Sequence, residues 1–346
     1  MTTAKAYAAY KAGEPLKPFT FERREIGPRD VKIDILYCGI CHSDIHTVRD
    51  EWGKMEYPLV PGHEIVGRVA EVGNEVASFK TGDLAGIGCM VDSCGVCPDC
   101  KDGFENNCDK GCVWTYGSIG KDGQMTQGGY SNIIVCDEHF VLKISDKLSL
   151  SGVAPLLCAG ITTYSPLKHW KIGPNHKIAV LGLGGLGHMA VKFAVAFGAD
   201  VTVLSTSPQK EVSAKELGAH HFYNTKDPSQ IASLSKNFDF IVDTVSVPHN
   251  YDNYLHMLKR NGALICVGLP TEPVKVSAFS LVSGNKTITG SGIGGIPETQ
   301  EMLDFCAEHD IVSNVEIISA DYINEAYERV IKGDVKYRFV VDMVKP

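Results

Sequence analysis

No run of about 18 consecutive apolar residues occurs in this sequence, which excludes an ordinary membrane-spanning helix. The first ten residues, Met1 to Tyr10, lack the apolar core of a secretion signal, so a cytoplasmic protein is expected. Long basic runs are missing too, and 33 Lys and Arg against 41 Asp and Glu leave a net charge of -8. That balance argues against nucleic acid and leaves a small molecule as the expected partner. Repeats and low-complexity tracts are absent. With 346 residues, 44% hydrophobic and 21% charged, the chain is long enough for two domains with separate cores.

Cysteine, by contrast, is plentiful, with twelve residues. Cys94, Cys97, Cys100 and Cys108 stand close enough in sequence to surround one tetrahedral zinc ion without help from elsewhere. Short C-x-x-C spacings in a reducing compartment favour metal over disulfide chemistry. Four sulfur ligands leave no open coordination position, so this metal stiffens a lobe and catalysis lies elsewhere. Cys38, Cys89, Cys112, Cys136, Cys266 and Cys306 read as small buried hydrophobes.

Two textures divide the chain. Val31, Ile33, Ile35 and Tyr37 alternate around Lys32, Asp34 and Leu36, which predicts a half-buried strand running directly into Cys41. Further short strands at Ile65–Val72 and Ser131–Val135, punctuated by glycine, suggest a β-rich lobe. After Ser151, apolar strands alternate with helical stretches: Lys177–Leu181, Val201–Leu204, His220–Tyr223, Phe238–Val242, Ala263–Val267 and Thr287–Thr289. Such alternation predicts an α/β, doubly wound parallel sheet. Leu186, Met189, Ala190, Phe193, Ala194 and Phe197 recur at helical spacing as its packing face. The expected division is a catalytic domain over 1–150, completed by 294–346, and a dinucleotide-binding domain over 151–293. In that last segment, helices at Glu298–His309 and Asn324–Lys332 precede a strand at Arg338–Met343.

Gly182, Leu183, Gly184, Gly185, Leu186 and Gly187 match G-x-G-x-x-G between a strand and a helix, the context in which that pattern cradles a pyrophosphate. An acidic residue at the end of the next strand would hold the adenine ribose and repel a 2′-phosphate. Here Ser205, Thr206, Ser207 and Lys210 follow Leu204 with no carboxylate among them, so NADP(H) is expected over NAD(H). The plainer alternative is that Ser207 caps the next helix.

Cys41, the pair His63 and Glu64, and Cys158 lie outside the cysteine cluster. Two thiolates and one imidazole would leave a tetrahedral position free, as in a catalytic zinc site. Spacing alone does not join these residues, and each reads equally well as an ordinary buried side chain.

Taken together, Cys38 to Asp44, Pro61 to Glu64, the four-cysteine lobe, Thr126 to Tyr130, Pro155 to Gly160, the glycine cradle and Tyr337 to Phe339 resemble the zinc-dependent medium-chain dehydrogenase/reductase superfamily. The resemblance covers nearly the whole chain and is nearest the cinnamyl-alcohol-dehydrogenase branch, including its bacterial broad-range aldehyde reductases. It implies a GroES-like catalytic domain, a Rossmann cofactor domain and two zinc ions per chain. Cys41, His63 and Cys158 would ligate the catalytic ion, with Glu64 as an occasional exchanging ligand and Asp44 fixing the histidine tautomer. Ser43 and His46 match a proton relay, and Thr162 and Arg338 match positions near the nicotinamide and the pyrophosphate. Trp52 and Trp114 fall where relatives line the substrate channel, which suits aromatic or medium-chain aldehydes; core packing is the alternative for each. The resemblance further implies a homodimer joined at outer strands of the cofactor sheets, near Ile288–Ile296. Oxidation of a polyol or an adduct-linked aldehyde, or a crystallin-like or redox-sensing protein without turnover, are the rival functions.

Overall fold

Val31, Ile33 and Ile35 face the core while Lys32 and Asp34 face outward, so the period of two becomes the strand Asp30–Gly39. The protein was analysed as a computed structural model that describes residues 1–344. Two compact units result: one comprises Met1–Ile161 with the chain from Gly294 onward, the other Thr162–Ile293.

Among the described residues, the first unit is built on a seven-stranded sheet. Its main path runs Val315–Ser319, Arg338–Asp342, Asp30–Gly39, Ile65–Val72, Leu84–Ile87 and Leu142–Lys143, and Ile133–Asp137 also pairs with Asp30–Gly39. The C-terminal strand lies antiparallel beside Asp30–Gly39, matching Val340 to Gly39 and Val341 to Cys38. That register brings Arg338 and Phe339 to the end of the strand from which Cys41 emerges. The C-terminal helices span Ile296–His309 and Ile323–Ile331.

A six-stranded parallel sheet forms the second unit, in the order His221–Asn224, Asp200–Ser205, Lys177–Leu181, Phe238–Asp243, Leu258–Cys266, Thr287–Gly290. The order reverses between Lys177–Leu181 and Phe238–Asp243, the first and fourth strands of this unit, and dinucleotides bind at such a switch point. Helix Gly185–Ala196 follows the first strand and buries Met189, Ala190, Phe193 and Ala194, with Leu186 and Phe197 half-buried at the rim of the stripe. Phe193 packs edge-on against Tyr164, ring centroids 5.4 Å apart. Each fully buried side chain of this kind contributes about 2 kcal/mol.

Several boundaries differ from expectation: residues 151–161 group with the first unit rather than the second, most element ends move by one or two residues, and two strands are displaced further or reshaped. The strand expected at Ser131–Val135 runs over Ile133–Asp137, because Ser131 is taken up by an isolated bridge to Ala6. The strand expected at Ala263–Val267 begins at Leu258, and the register shift opposite Phe238 and Phe240 absorbs the intervening residues, with Asn261 in a left-handed conformation. The cysteines also divide unexpectedly: Cys38, Cys136 and Cys306 are buried, whereas Cys89, Cys112 and Cys266 are only half-buried.

The cysteine lobe is fastened to the first unit by Glu105, which is 1% exposed. Its carboxylate accepts from His139 Nε2 at 2.7 Å and from the Ile296 amide at 2.9 Å, at the start of the helix Ile296–His309. Beside it, a Cβ on Gly295 would lie 1.7 Å from the Gly103 carbonyl oxygen, so only glycine permits this approach. Glu105→Ala strands the Ile296 amide and is expected to destabilise the protein by about 2 kcal/mol. Calorimetry of the zinc-loaded variant checks this, and an unaltered Tm would remove the clamp from the account.

Candidate active site

The strand Asp30–Gly39 ends at a short helix, His42–Val48, with Cys41 at its N-cap. Gly62, at a φ of +100°, turns the chain so that His63 and Glu64 precede the strand Ile65–Val72. A Cβ there would meet the Tyr130 ring at 2.7 Å, so the left-handed turn and the tight packing both require glycine. Cys158 sits between the turn Ala154–Leu157 and the helix Ala159–His169. These elements bring donor atoms of Cys41, His63, Glu64 and Cys158 within 4.8 Å of one another.

Asp44 organises the cluster. Its Oδ1 accepts from the Gly62 amide and from His63 Nδ1, both at 3.1 Å; its Oδ2 accepts from the Cys41 amide at 2.8 Å and from the Tyr130 hydroxyl at 3.1 Å. With Nδ1 donating to Asp44, His63 presents Nε2 as its lone-pair nitrogen, the tautomer a metal needs.

The electrostatics fit a cation. Cys41 Sγ and Cys158 Sγ are 3.9 Å apart, close to the separation of about 3.8 Å that two 2.3 Å Zn–S bonds subtend at the tetrahedral angle. The contact with Cys158 holds Cys41 well below the usual thiol range, while Cys158 itself is pushed well above it by Cys41 and Cys89 and by burial. Burial pushes Glu64 up to about 7 even though Arg338 pairs with it. Burial opposes charge on His63, yet the adjoining Asp44 raises its pKa well above the ordinary value. Glu64 Oε2 is buried without a hydrogen-bond partner, one acceptor more than the protein satisfies. Two sulfurs, an imidazole nitrogen and an unsatisfied carboxylate oxygen therefore suit zinc with one exchangeable position.

The second cluster, Cys94, Cys97, Cys100 and Cys108, also gathers within 4.8 Å. Its Cys94 and Cys100 sulfurs are 3.9 Å apart. Backbone amides of Cys94, Cys97 and Cys100 donate to the sulfurs of Cys108, Cys94 and Cys97 at 3.4 to 3.5 Å. Amides directed at sulfur stabilise thiolates, and a closed four-sulfur set suits a structural zinc ion.

Around the first cluster, Ser43 Oγ lies 3.5 Å from Cys41 Sγ. His46, one turn along the same helix, holds the Glu51 carboxylate through Nδ1 and stacks on Trp52, centroids 4.8 Å apart. Glu51 gave no sequence signal, since only the fold reveals its partner. Trp52 is 43% and Trp114 47% exposed, which removes the core alternative for both. Tyr116, also not singled out in the sequence, is buried with its ring 5.8 Å from that of His63. Arg338, expected at the cofactor pyrophosphate, has its guanidinium on Glu64 and is buried. Cys89 is more than a packing residue: its thiol faces the Leu157 carbonyl at 3.8 Å and contributes to the raised pKa of Cys158.

In the second unit, Gly182 adopts a φ of +88°, and a Cβ on Gly187 would stand 2.2 Å from the Gly182 carbonyl oxygen. A Cβ on Gly184 would meet nothing within 4 Å, which leaves open space at the N-terminus of the helix Gly185–Ala196, where a phosphate binds. Leu186 is half-buried in its first turn. Beyond the next strand, Ser205 is buried and its Oγ accepts from the Ser207 amide at 3.2 Å, so it shapes the turn. Thr206 is exposed; Ser207 occupies an N-cap position without a side-chain capping bond, so the capping alternative is not realised. Lys210 reaches back to the Leu183 carbonyl at 2.9 Å, and burial lowers its pKa. Thr162 is buried in the helix Ala159–His169.

A zinc donor set of two sulfurs and an imidazole, in a chain that also carries a dinucleotide-binding sheet, defines a zinc- and dinucleotide-dependent oxidoreductase. Comparison with known proteins agrees. A family profile described as alcohol dehydrogenase GroES-like domain matches residues 27–146, and one described as zinc-binding dehydrogenase matches 185–308. NADP-dependent alcohol dehydrogenase C 1 of Mycolicibacterium smegmatis is 58% identical, covering 99% of this chain and 98% of its own. Aldehyde reductase YahK of Escherichia coli is 55% identical over 98% of this chain and 97% of its own. The solved structure of a cinnamyl alcohol dehydrogenase from Sorghum bicolor superposes with a TM-score of 0.96 at 44% identity, covering 99% of this chain and 98% of that one. The chain belongs to the zinc-binding alcohol dehydrogenase family, in its cinnamyl-alcohol-dehydrogenase-like branch, and is an enzyme of the alcohol dehydrogenase and aldehyde reductase type.

If Asp44 sets the histidine tautomer, Asp44→Asn weakens zinc at this cluster by about 10–100-fold while sparing the four-cysteine ion. Metal analysis during chelator titration is expected to fall from two ions per chain towards one at lower chelator than for wild type. Coincident titration curves would reject the role.

Proposed function

We propose that this enzyme reduces aromatic and medium-chain aldehydes with NADPH, reversibly, and that the first zinc cluster is where the carbonyl is held. The observation that carries this reading is the buried convergence of Cys41, His63, Glu64 and Cys158, a negative donor set with one oxygen left unsatisfied. When bound, zinc supplies a Lewis acid for the carbonyl oxygen and NADPH supplies the hydride. Cys41, Cys158 and His63 Nε2 fix the ion, and Asp44 holds three of the groups around it in register. Glu64, paired with Arg338, would offer the ion an oxygen that can give way to substrate. Ser43 gives its hydroxyl proton to the product oxygen and is resupplied from His46, which Glu51 and Trp52 orient.

The glycine turn receives the pyrophosphate, and Thr162 and Arg338 are assigned to the cofactor by resemblance. At the adenosine end, Thr206, Ser207 and Lys210 offer hydroxyls and a cation where no carboxylate would repel a 2′-phosphate. Burial without a counter-ion lowers the Lys210 pKa, and a phosphate within reach would offset that penalty. Exposed Trp52 and Trp114 and buried Tyr116 provide aromatic surface for aryl substrates.

The edge strand Thr287–Gly290 and the exposed Phe279 and Val282 on the helix before it support a homodimer formed at that edge. Thiolate clusters of metal-ligand spacing support a reducing, cytoplasmic setting. Among the described residues, no single helix is long and apolar enough to cross a membrane.

NADPH consumption with benzaldehyde tests the reading. Wild type is expected to turn over, Cys158→Ala to lose at least about 10³-fold in kcat/KM, and NADH to serve roughly 10²-fold worse than NADPH. Equal use of NADH contradicts the cofactor assignment, and an active Cys158→Ala contradicts the metal assignment. Trp114→Ala is expected to reduce kcat/KM for benzaldehyde about tenfold more than for acetaldehyde; equal losses remove Trp114 from the pocket.

A further inference from the structure

Outside the zinc clusters, the second unit contains a group of titratable side chains that the reaction above does not use. Asp243 ends the strand Phe238–Asp243, between Leu181 and Cys266 on the neighbouring strands. Its side chain is 1% exposed, and its Oδ1 accepts from the Val245 amide at 3.0 Å. Its Oδ2 stands 3.0 Å from Nε2 of His249, in an ion-pair contact whose angle falls short of a hydrogen bond. On the other side of the ring, Nδ1 of His249 is 2.9 Å from the Val247 carbonyl oxygen. The ring stacks on Tyr251 at 4.3 Å and meets Tyr254 edge-on at 5.6 Å.

Both partners of this imidazole can only accept. A neutral ring carries one N–H and leaves one nitrogen lone pair facing an oxygen lone pair; the imidazolium satisfies both contacts. The groups facing it or its carboxylate are Asp243, Tyr251, Tyr254 and Cys266. Burial raises the Tyr251 hydroxyl and the Cys266 thiol to about 12, and raises Tyr254 as well, so none of these three gains charge where histidine titrates. Burial of His249 opposes its protonation, but the Asp243 contact and the Val247 carbonyl outweigh it and raise its pKa.

The loop these contacts tie down, Thr244 to Asn250, abuts the glycine turn. The Thr244 amide and hydroxyl both donate to the Leu181 carbonyl, at 3.0 and 2.8 Å, in the residue just before Gly182. A Cβ on Gly182 would meet Thr244 Oγ1 at 2.9 Å and Val245 Cγ2 at 3.1 Å. Movement of this loop therefore moves the walls of the turn.

We propose that His249 is a positioning residue: protonated, it fastens the Thr244–Asn250 loop through Asp243 and the Val247 carbonyl, and so couples NADPH affinity to pH. This rests on the assignment of the glycine turn to NADPH. A fastened loop presents a preformed turn, whereas a loosened one must be reordered on binding, which lowers affinity by the fraction of competent turns. The sign follows from the raised folded value. Fastening is complete below the ordinary histidine pKa of about 6.5 and is lost as pH rises through the higher folded value.

The test is fluorescence titration of the zinc-loaded protein with NADPH from pH 6 to 9, for wild type, His249→Gln and Asp243→Asn. The wild-type Kd is expected to rise about fivefold more across that range than the Kd of either variant. Ionisation of the cofactor phosphate is common to all three proteins and cancels in the ratio. Identical pH profiles for wild type and His249→Gln, with binding intact, overturn the inference and leave the cofactor assignment standing. Failure of wild type to bind NADPH at any pH overturns both. Should His249→Gln not fold, ¹⁵N histidine spectra of wild type decide: a His249 ring midpoint above about 6.5 supports the inference, and one below overturns it.

Discussion

Four hydrogen bonds converging on one buried carboxylate hold the first zinc site together. Asp44 accepts from the backbone at Cys41 and Gly62, from the ring of His63 and from the hydroxyl of Tyr130, which belong to three separate stretches of chain. A carboxylate with all its lone-pair directions occupied is a rigid node, because moving any donor exposes a buried charge. The same node polarises His63 towards the metal-binding tautomer. Position and chemistry at this site thus derive from a single side chain.

How much of this is readable in the sequence depends on how local each feature is. The four-cysteine cluster and the glycine turn are contiguous, so their spacing alone carries the geometry. The six strands of the parallel sheet are legible because fully buried strands are apolar runs bounded by breakers. Cys41, His63 and Cys158 are not joined by spacing: 117 residues separate the two sulfurs that end 3.9 Å apart, and only resemblance brings them together before the structure does. Glu51 and Tyr116 carry no signal, since an acidic residue in a polar turn and a tyrosine after a tryptophan look ordinary until the fold places them beside His46 and His63. Arg338 was assigned by resemblance to the pyrophosphate, and its ion pair with Glu64 arises from strand register, which no local pattern encodes.

The two metal clusters solve the same electrostatic problem differently. Four thiolates around one divalent ion are over-neutralised, and the cysteine lobe spreads that excess into backbone amides directed at sulfur. The first cluster has fewer sulfurs and leaves its imbalance concentrated on Glu64 Oε2, with Arg338 as the opposing charge. A closed site can afford rigidity in every ligand. In the first cluster, burial pushes Glu64 up to about 7 against the opposing effect of Arg338.

The cofactor turn applies the same reasoning with backbone in place of charge. Gly187 permits an approach that any Cβ would block at 2.2 Å, and Gly184 leaves its Cβ direction open to a ligand. Nothing in the turn itself supplies stiffness, because glycine is the residue with the most conformational freedom. Stiffness must come from what surrounds it: the Lys210 ammonium on the Leu183 carbonyl from one side, and the Thr244 amide and hydroxyl on the Leu181 carbonyl from the other. Both tethers end on carbonyls flanking Gly182, so the conformation of a flexible residue is set by two polar anchors outside the motif. The loop that begins at Thr244 also carries His249, in contact with Asp243. A phosphate-binding turn defined by its glycines is therefore held in its binding shape by residues that the glycine pattern does not contain.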